Sequence, residues 1–189
     1  MNTAVTKELL EEAKPDVVVL ATGSTPLLPD IDGIDNEKLV KAIDVIAGKT
    51  VVGHNNLVLG GGLVGAECAD FLREHNRAAT IIEQLPDIAM DIFLGAREHL
   101  MNRLANTPRI VNAKITKIDE DGVDYELNGE TKTARGFDNV ILALGYKAYN
   151  PLEEIAKEVT GQVYVIGDAV KAGKANTATS QAAELANRI

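Results

Sequence analysis

The sequence predicts an α/β protein in which a mainly parallel sheet carries helices and a small antiparallel β-meander. Three observations lead there. First, the runs at 17–21 (VVVLA), 57–60 (LVLG), 140–144 (VILAL) and 163–166 (VYVI) are apolar at almost every position. Strands of that kind are buried on both faces, which is the habit of parallel sheets. Second, segments with helical spacing separate most of them. Third, the pattern around residues 114–134 changes to short strands in which Val123, Tyr125 and Leu127 alternate, punctuated by "DG" at 121 and "NG" at 128, the chemistry of hairpin turns.

In chain order, residues 5–14 suit a polar helix, and the first apolar strand, Val17 to Ala21, ends at Gly23-Ser24. A connector over 25–50 holds "TPLLPDIDGID" and a short helix expected around Glu37 to Ala47. The strand at 57–60 opens into a helix whose Val64, Cys68, Phe71 and Leu72 share one face. A strand at 79–83, a helix at 92–105, a strand at 109–112, the meander, the two late apolar strands and a helix from about Asn176 complete the set. There is no repeat of fixed period and no low-complexity segment.

Composition excludes several functions. The net charge is -9 and the pI about 4.8, so neither a phosphate backbone nor an anionic membrane would be attracted. No nucleic-acid or membrane partner is expected. "MNTAVTKELLEE" lacks the basic start and apolar centre of a secretory signal. The one cysteine, Cys68, can form neither an internal disulfide nor a multi-thiolate metal site, which suits a reducing, cytoplasmic setting.

The chemistry gathers at residues 60–65, Gly60-Gly61-Gly62-Leu63-Val64-Gly65. This is G-x-G-x-x-G with an apolar strand before it and a helix after it. Gly60 permits the tight turn, Gly62 lets the backbone approach a pyrophosphate, and Gly65 lets the helix pack against the strand. At the end of the next strand stands Glu83, followed by Gln84. A carboxylate at that offset accepts hydrogen bonds from the adenosine ribose hydroxyls. Together these predict a Rossmann-like three-layer NAD-binding domain. A 2′-phosphate beside Glu83 would cost about 4 kcal/mol per pair of unit charges at 4 Å and a dielectric near 20. Even a third of that is about a tenfold preference for NAD(H) over NADP(H). Arg77, or a residue from outside this chain, could soften it.

The order of "ATGS" (21–24), "GGGLVGAE" (60–67), "ALG" (143–145) and "VYVIGDA" (163–169) resembles the flavoproteins with two dinucleotide-binding domains, the pyridine nucleotide-disulfide oxidoreductase superfamily. In that family an NAD domain is inserted into an FAD domain. The resemblance implies three segments: 1–51, a partial FAD-binding domain and connector; 52–147, the NAD-binding domain; and 148–189, the second part of the FAD-binding half. It adds Gly23, Gly145, Gly167 and Asp168 to the cofactor-binding residues, with Asp168 on the ribityl chain of FAD, and places Glu67 near the nicotinamide. Within the family, "GGGLVGAE", "ILALGYKAYNPLE" and "IGDAVKAGKANTATSQAAELANRI" look most like the C-terminal region of enoate and 2,4-dienoyl-CoA reductases related to old yellow enzyme. That likeness implies FAD in the full-length protein, an upstream barrel carrying FMN, a 4Fe-4S cluster, and the first FAD half before residue 1. The chain alone is then expected to be incomplete and inactive. Asp30, where the family commonly has glycine, is a departure. Hydride passing directly from nicotinamide to flavin needs two oriented rings rather than an acid or base, so no catalytic residue is assigned. The helix from Asn176 would direct its N-terminal dipole at the flavin.

Two neighbouring families fall away. A low-molecular-weight thioredoxin reductase would carry C-x-x-C after "ATGS", and residues 25–59 contain no cysteine. A short-chain dehydrogenase needs Y-x-x-x-K, but Gly129, Asn150, Glu153 and Asp168 follow the four tyrosines at that spacing. NADH oxidases, ferredoxin reductases, disulfide reductases with an N-terminal C-x-x-x-x-C and a non-catalytic adenine-dinucleotide-binding module stay open, as does a homo-oligomer. His54, His75 and His99 are dispersed and read as surface residues, so no metal site is assigned. Cys68 reads as packing, and Glu67 could equally answer to the dipole of the helix's first turn.

Overall fold

The computed structural model describes residues 3–36 and 38–189. In chain order the elements are α1 (Lys7–Ala13), β1 (Val18–Leu20), β2 (Ser24–Pro26), β3 (Val40–Lys41), α2 (Ala42–Ile46), β4 (Asn55–Leu59), α3 (Leu63–Glu74), β5 (Ala78–Ile82), α4 (Leu94–Arg103), β6 (Arg109–Ile110), β7 (Lys114–Asp119), β8 (Gly122–Leu127), β9 (Glu130–Ala134), β10 (Asn139–Leu142), β11 (Tyr146–Ala148), α5 (Glu153–Val159), β12 (Val163–Val165) and α6 (Ala175–Ala186). They form two compact units. The larger is Pro26–Gly145; the smaller joins the stretch up to Thr25 with Tyr146–Ile189.

The larger unit is built on a five-stranded sheet in the order β3-β10-β4-β5-β6. All its pairings are parallel. The continuous apolar runs explain why: Leu57, Val58 and Leu59 of β4 are each 0% exposed, because successive side chains enter two different cores. Val58, Ile81 and Ile141 face a cluster with Ala66, Cys68 and Leu72 of α3 and Leu100 of α4. Leu57, Leu59, Ile82 and Val140 face the other, with Ile118, Val123 and Tyr125 of the meander. Helices, parallel sheet and meander are the three layers expected.

The meander β7-β8-β9 is antiparallel throughout. Its second turn is made by Asn128 and Gly129, both at positive φ (55° and 79°), which matches the twist of the flanking strands. The first differs from expectation. Gly122 lies in β8 opposite Asp119, and glycine is required there because a Cβ would sit 1.8 Å from the Ala134 carbonyl oxygen.

The larger compact unit takes in the connector from Pro26 onward as well as residues 52–145. Val40–Lys41 pairs with β10, and Ile31, Ile34 and Leu39 pack on the meander-side core, so the connector is part of the unit. The helix expected around Glu37 to Ala47 is confined to Ala42–Ile46, and Glu37 lies outside the described residues.

In the smaller unit β1 and β12 pair in parallel, Val18 opposite Val163 and Leu20 opposite Val165. Burial on both faces does not hold here: Val19 is 41% exposed. α1 is capped by Thr6 and is joined to α5 by the Lys7–Glu158 ion pair. The sequence reading missed α5, although Glu153 and Glu154 occupy its first turn and Gly161 follows its end. Among the described residues no helix is long and apolar enough to cross a membrane.

Candidate functional site

β4 ends at Gly60, whose φ of 95° turns the chain sharply toward α3; a Cβ there would lie 2.4 Å from the Ala143 carbonyl oxygen. At Gly65 a Cβ would lie 1.9 Å from the Gly60 carbonyl oxygen. Only a residue without a side chain lets α3 approach so near the turn. Gly61 is constrained as well, since a Cβ there would meet Ile88 Cγ2 at 2.5 Å. Gly62 has ample room: the nearest atom to its absent Cβ is 3.6 Å away. It is the N-cap of α3 and supplies no side-chain cap. The N–H groups of the first turn, at Leu63, Val64 and Gly65, have no partners within the helix and carry its positive end.

Glu83 follows β5 and is only 7% exposed, so it is not a solvated strand-end carboxylate. Its backbone is held by an N–H donated to the Ile110 carbonyl at 2.8 Å and a carbonyl accepting from Ala113 N–H at 2.9 Å. Its carboxylate accepts the N–H of Gly61 at 2.5 Å and that of Leu85 at 2.8 Å. An ionised carboxylate has about four lone-pair positions, so two backbone donors leave room for ribose hydroxyls. The glycine turn and Glu83 thus meet directly, while Gln84 beside it is exposed.

Arg77 is not near this group. It precedes β5, where its guanidinium donates to the Gly53 carbonyl at 2.8 Å, while Glu83 follows the far end of that strand. Glu67 is exposed and is the fifth residue of α3; no acid occupies the helix's first turn. The first-turn dipole therefore does not explain it.

The loop between β5 and α4 also meets the glycine turn, although no recognised motif marks it. Ala89 N–H donates to the Gly61 carbonyl at 2.6 Å, and Asp91 Oδ2 accepts the N–H of Leu63 at 3.2 Å. The one signal was an acidic pair, Asp87 and Asp91, just before a helix. Arg97 fixes the loop from α4, donating to Asp87 at 2.6 Å, to the Ile88 carbonyl at 3.0 Å and to the Ala89 carbonyl at 3.1 Å. Although partial burial opposes it, the backbone N–H of Ile88 and the guanidinium groups of Arg97 and Arg109 hold the Asp87 carboxyl below its ordinary range.

In the smaller unit, Asp168 Oδ2 accepts from Ser24 Oγ at 3.1 Å and Oδ1 from Gly173 N–H at 3.1 Å. Gly167, at φ 64°, donates its N–H to Gln181 Oε1 at 2.7 Å and leaves only 3.3 Å between an added Cβ and Ala178. Gly23 and, in the larger unit, Gly145 have positive φ and open space where a side chain would stand, so a ligand can approach their backbones.

The single thiol, Cys68, is buried among apolar neighbours, and that burial pushes it up to about 12; it is packing. His54, His75 and His99 are exposed. Among the described residues no group of three or more histidine, cysteine or acidic side chains could hold a metal ion.

A parallel α/β unit with a glycine turn opening α3, tied to a buried carboxylate one strand away, defines a dinucleotide-binding class of protein. The pyridine nucleotide-disulphide oxidoreductase family model matches residues 2–182, and the chain belongs to that family. It is 35% identical to an NADH oxidase of Thermoanaerobacter brockii over 96% of this chain and 29% of that protein. It is 31% identical to a cinnamate reductase of Clostridium sporogenes over 100% of this chain and 29% of the relative. Among solved structures it superposes on a 2-naphthoyl-CoA reductase in complex with 2-naphthoyl-CoA, with a TM-score of 0.85 and 29% identity, over 94% of this chain and 27% of that one. The chain thus spans less than a third of the length of these relatives.

Proposed function

We propose that this chain is the NADH-oxidising part of an FAD-dependent oxidoreductase of the enoate reductase type. The observation that carries the proposal is the contact between the glycine turn and Glu83. The glycine turn offers backbone donors and the positive end of α3 to a pyrophosphate, while Glu83, fixed to Gly61, offers acceptors to the adenosine ribose. Residues 60–65, Glu83 and Gln84 would hold NADH, with Glu67 and Gly145 toward the nicotinamide. Because Glu83 is buried, its charge is less screened than a surface carboxylate, which favours NADH over NADPH.

Gly23, Gly167 and Asp168 would contribute to FAD, with the two Asp168 oxygens retaining acceptor capacity beyond Ser24 and Gly173. Bound FAD supplies the acceptor for a hydride from the nicotinamide. The chain's own residues bind and orient, and none is assigned a proton transfer. FMN and a 4Fe-4S cluster would be held by other parts of a longer polypeptide; the greater length of the relatives supports the longer polypeptide. A cytoplasmic setting is supported by the single buried thiol. The test is anaerobic mixing of the full-length protein with NADH while flavin absorbance is followed. Prompt bleaching by NADH, slower with NADPH, is expected; bleaching by NADPH alone, or by neither, overturns the proposal.

A further inference from the structure

The geometry points to Asp91 as a residue that sets dinucleotide affinity, its carboxylate standing where the pyrophosphate must come. The inference rests on the proposal that residues 60–65 hold NADH. Asp91 Oδ2 accepts the N–H of Leu63, the first residue of α3, at 3.2 Å. Its two oxygens lie 3.6 and 3.8 Å from the point a Cβ on Gly62 would occupy. Gly62 gives α3 no side-chain cap, so a carboxylate from another loop fills that role. A pyrophosphate would need the same donor and the same space, and two anions cannot share them without strong repulsion.

The backbone beneath Asp91 is anchored. Ile88 and Ala89 are 1% and 0% exposed, Ala89 N–H donates to Gly61, and Arg97 holds both of their carbonyls. Asp91 itself is exposed and has solvent to rotate into. Dinucleotide binding is therefore an exchange of one anion for another at Leu63: the side chain swings out, the loop stays. Such an internal competitor lowers apparent affinity in proportion to the fraction of time it occupies the site.

Calorimetric titration with ADP-ribose of the unmodified chain, Asp91→Asn and Asp91→Ala tests this. Both variants should bind about three- to tenfold more tightly, with folding checked by thermal melting. Amide exchange gives a second readout: Leu63 should lose protection in Asp91→Ala and regain it with ADP-ribose, while Ala89 stays protected throughout. Folded variants with unchanged or weaker affinity would show that Asp91 only caps α3, overturning the inference and leaving the NADH proposal intact. If neither the unmodified chain nor the variants bind ADP-ribose, the NADH proposal fails and this inference falls with it.

Discussion

The carboxylate of Glu83 accepts the backbone N–H of Gly61 at 2.5 Å, so the end of β5 and the turn that follows β4 are one structure. A residue expected to choose the nucleotide is also a structural tie. Replacing Glu83 with Ala would leave the buried N–H of Gly61 without its acceptor, at about 1–3 kcal/mol, while the N–H of Leu85, a residue 48% exposed, can turn to water. Urea unfolding should show a loss of that order, together with a narrower difference between NADH and NADPH affinity. A variant as stable as the parent would show that the tie contributes nothing.

Two glycines of the turn should respond in opposite ways. Gly65→Ala forces a Cβ to 1.9 Å from a backbone oxygen and should destabilise the larger unit by about 1–3 kcal/mol or more. Gly62→Ala has room, and its φ of -65° suits any residue. That variant should melt normally yet bind ADP-ribose at least about tenfold more weakly, because a methyl group would occupy the approach of the pyrophosphate. Normal binding by a stable Gly62→Ala chain would place the phosphates elsewhere.

Asp138 predicts a pH dependence. The backbone N–H groups of Asn55 and His54 lower its carboxyl below the usual 3.8. A depressed folded value means stability that is fully present above the unfolded value and is lost as pH falls through the folded one. Acid unfolding of the unmodified chain should therefore have a component below about pH 4 that Asp138→Asn lacks. Superimposable acid profiles would rule it out.

Hydrogen exchange should separate the two units. Leu57, Val58, Leu59 and Ile141 are 0% exposed in the middle of a five-stranded sheet, whereas β1 and β12 form a two-stranded one with Val19 41% exposed. Slow exchange in β4 and β10 and faster exchange in β1 and β12 are expected in dilute solution. Equal protection would contradict the difference in burial.

Much of this was legible in the chain, for physical reasons. Runs such as Leu57–Leu59 have one stable environment, between two cores, and Asn128-Gly129 supplies the positive φ that a tight hairpin requires. Glu83 was visible because its offset from the glycines follows from the length of one strand-helix-strand unit. What was not legible depends on distant packing. The connector's place in the larger unit depends on Val40 pairing with Ile141, and Asp91 reaches Leu63 only because the loop folds back and buries Ile88 beside Gly61. No local pattern announces either. α5 was missed because seven residues give too little periodicity to stand out.

The proposed nucleotide site stands or falls on calorimetric titration of the chain with NADH and with NADPH under one buffer and salt. Glu83 beside the glycine turn predicts binding of NADH that is about tenfold tighter than that of NADPH. Equal or tighter binding of NADPH, or no binding of either, would contradict it.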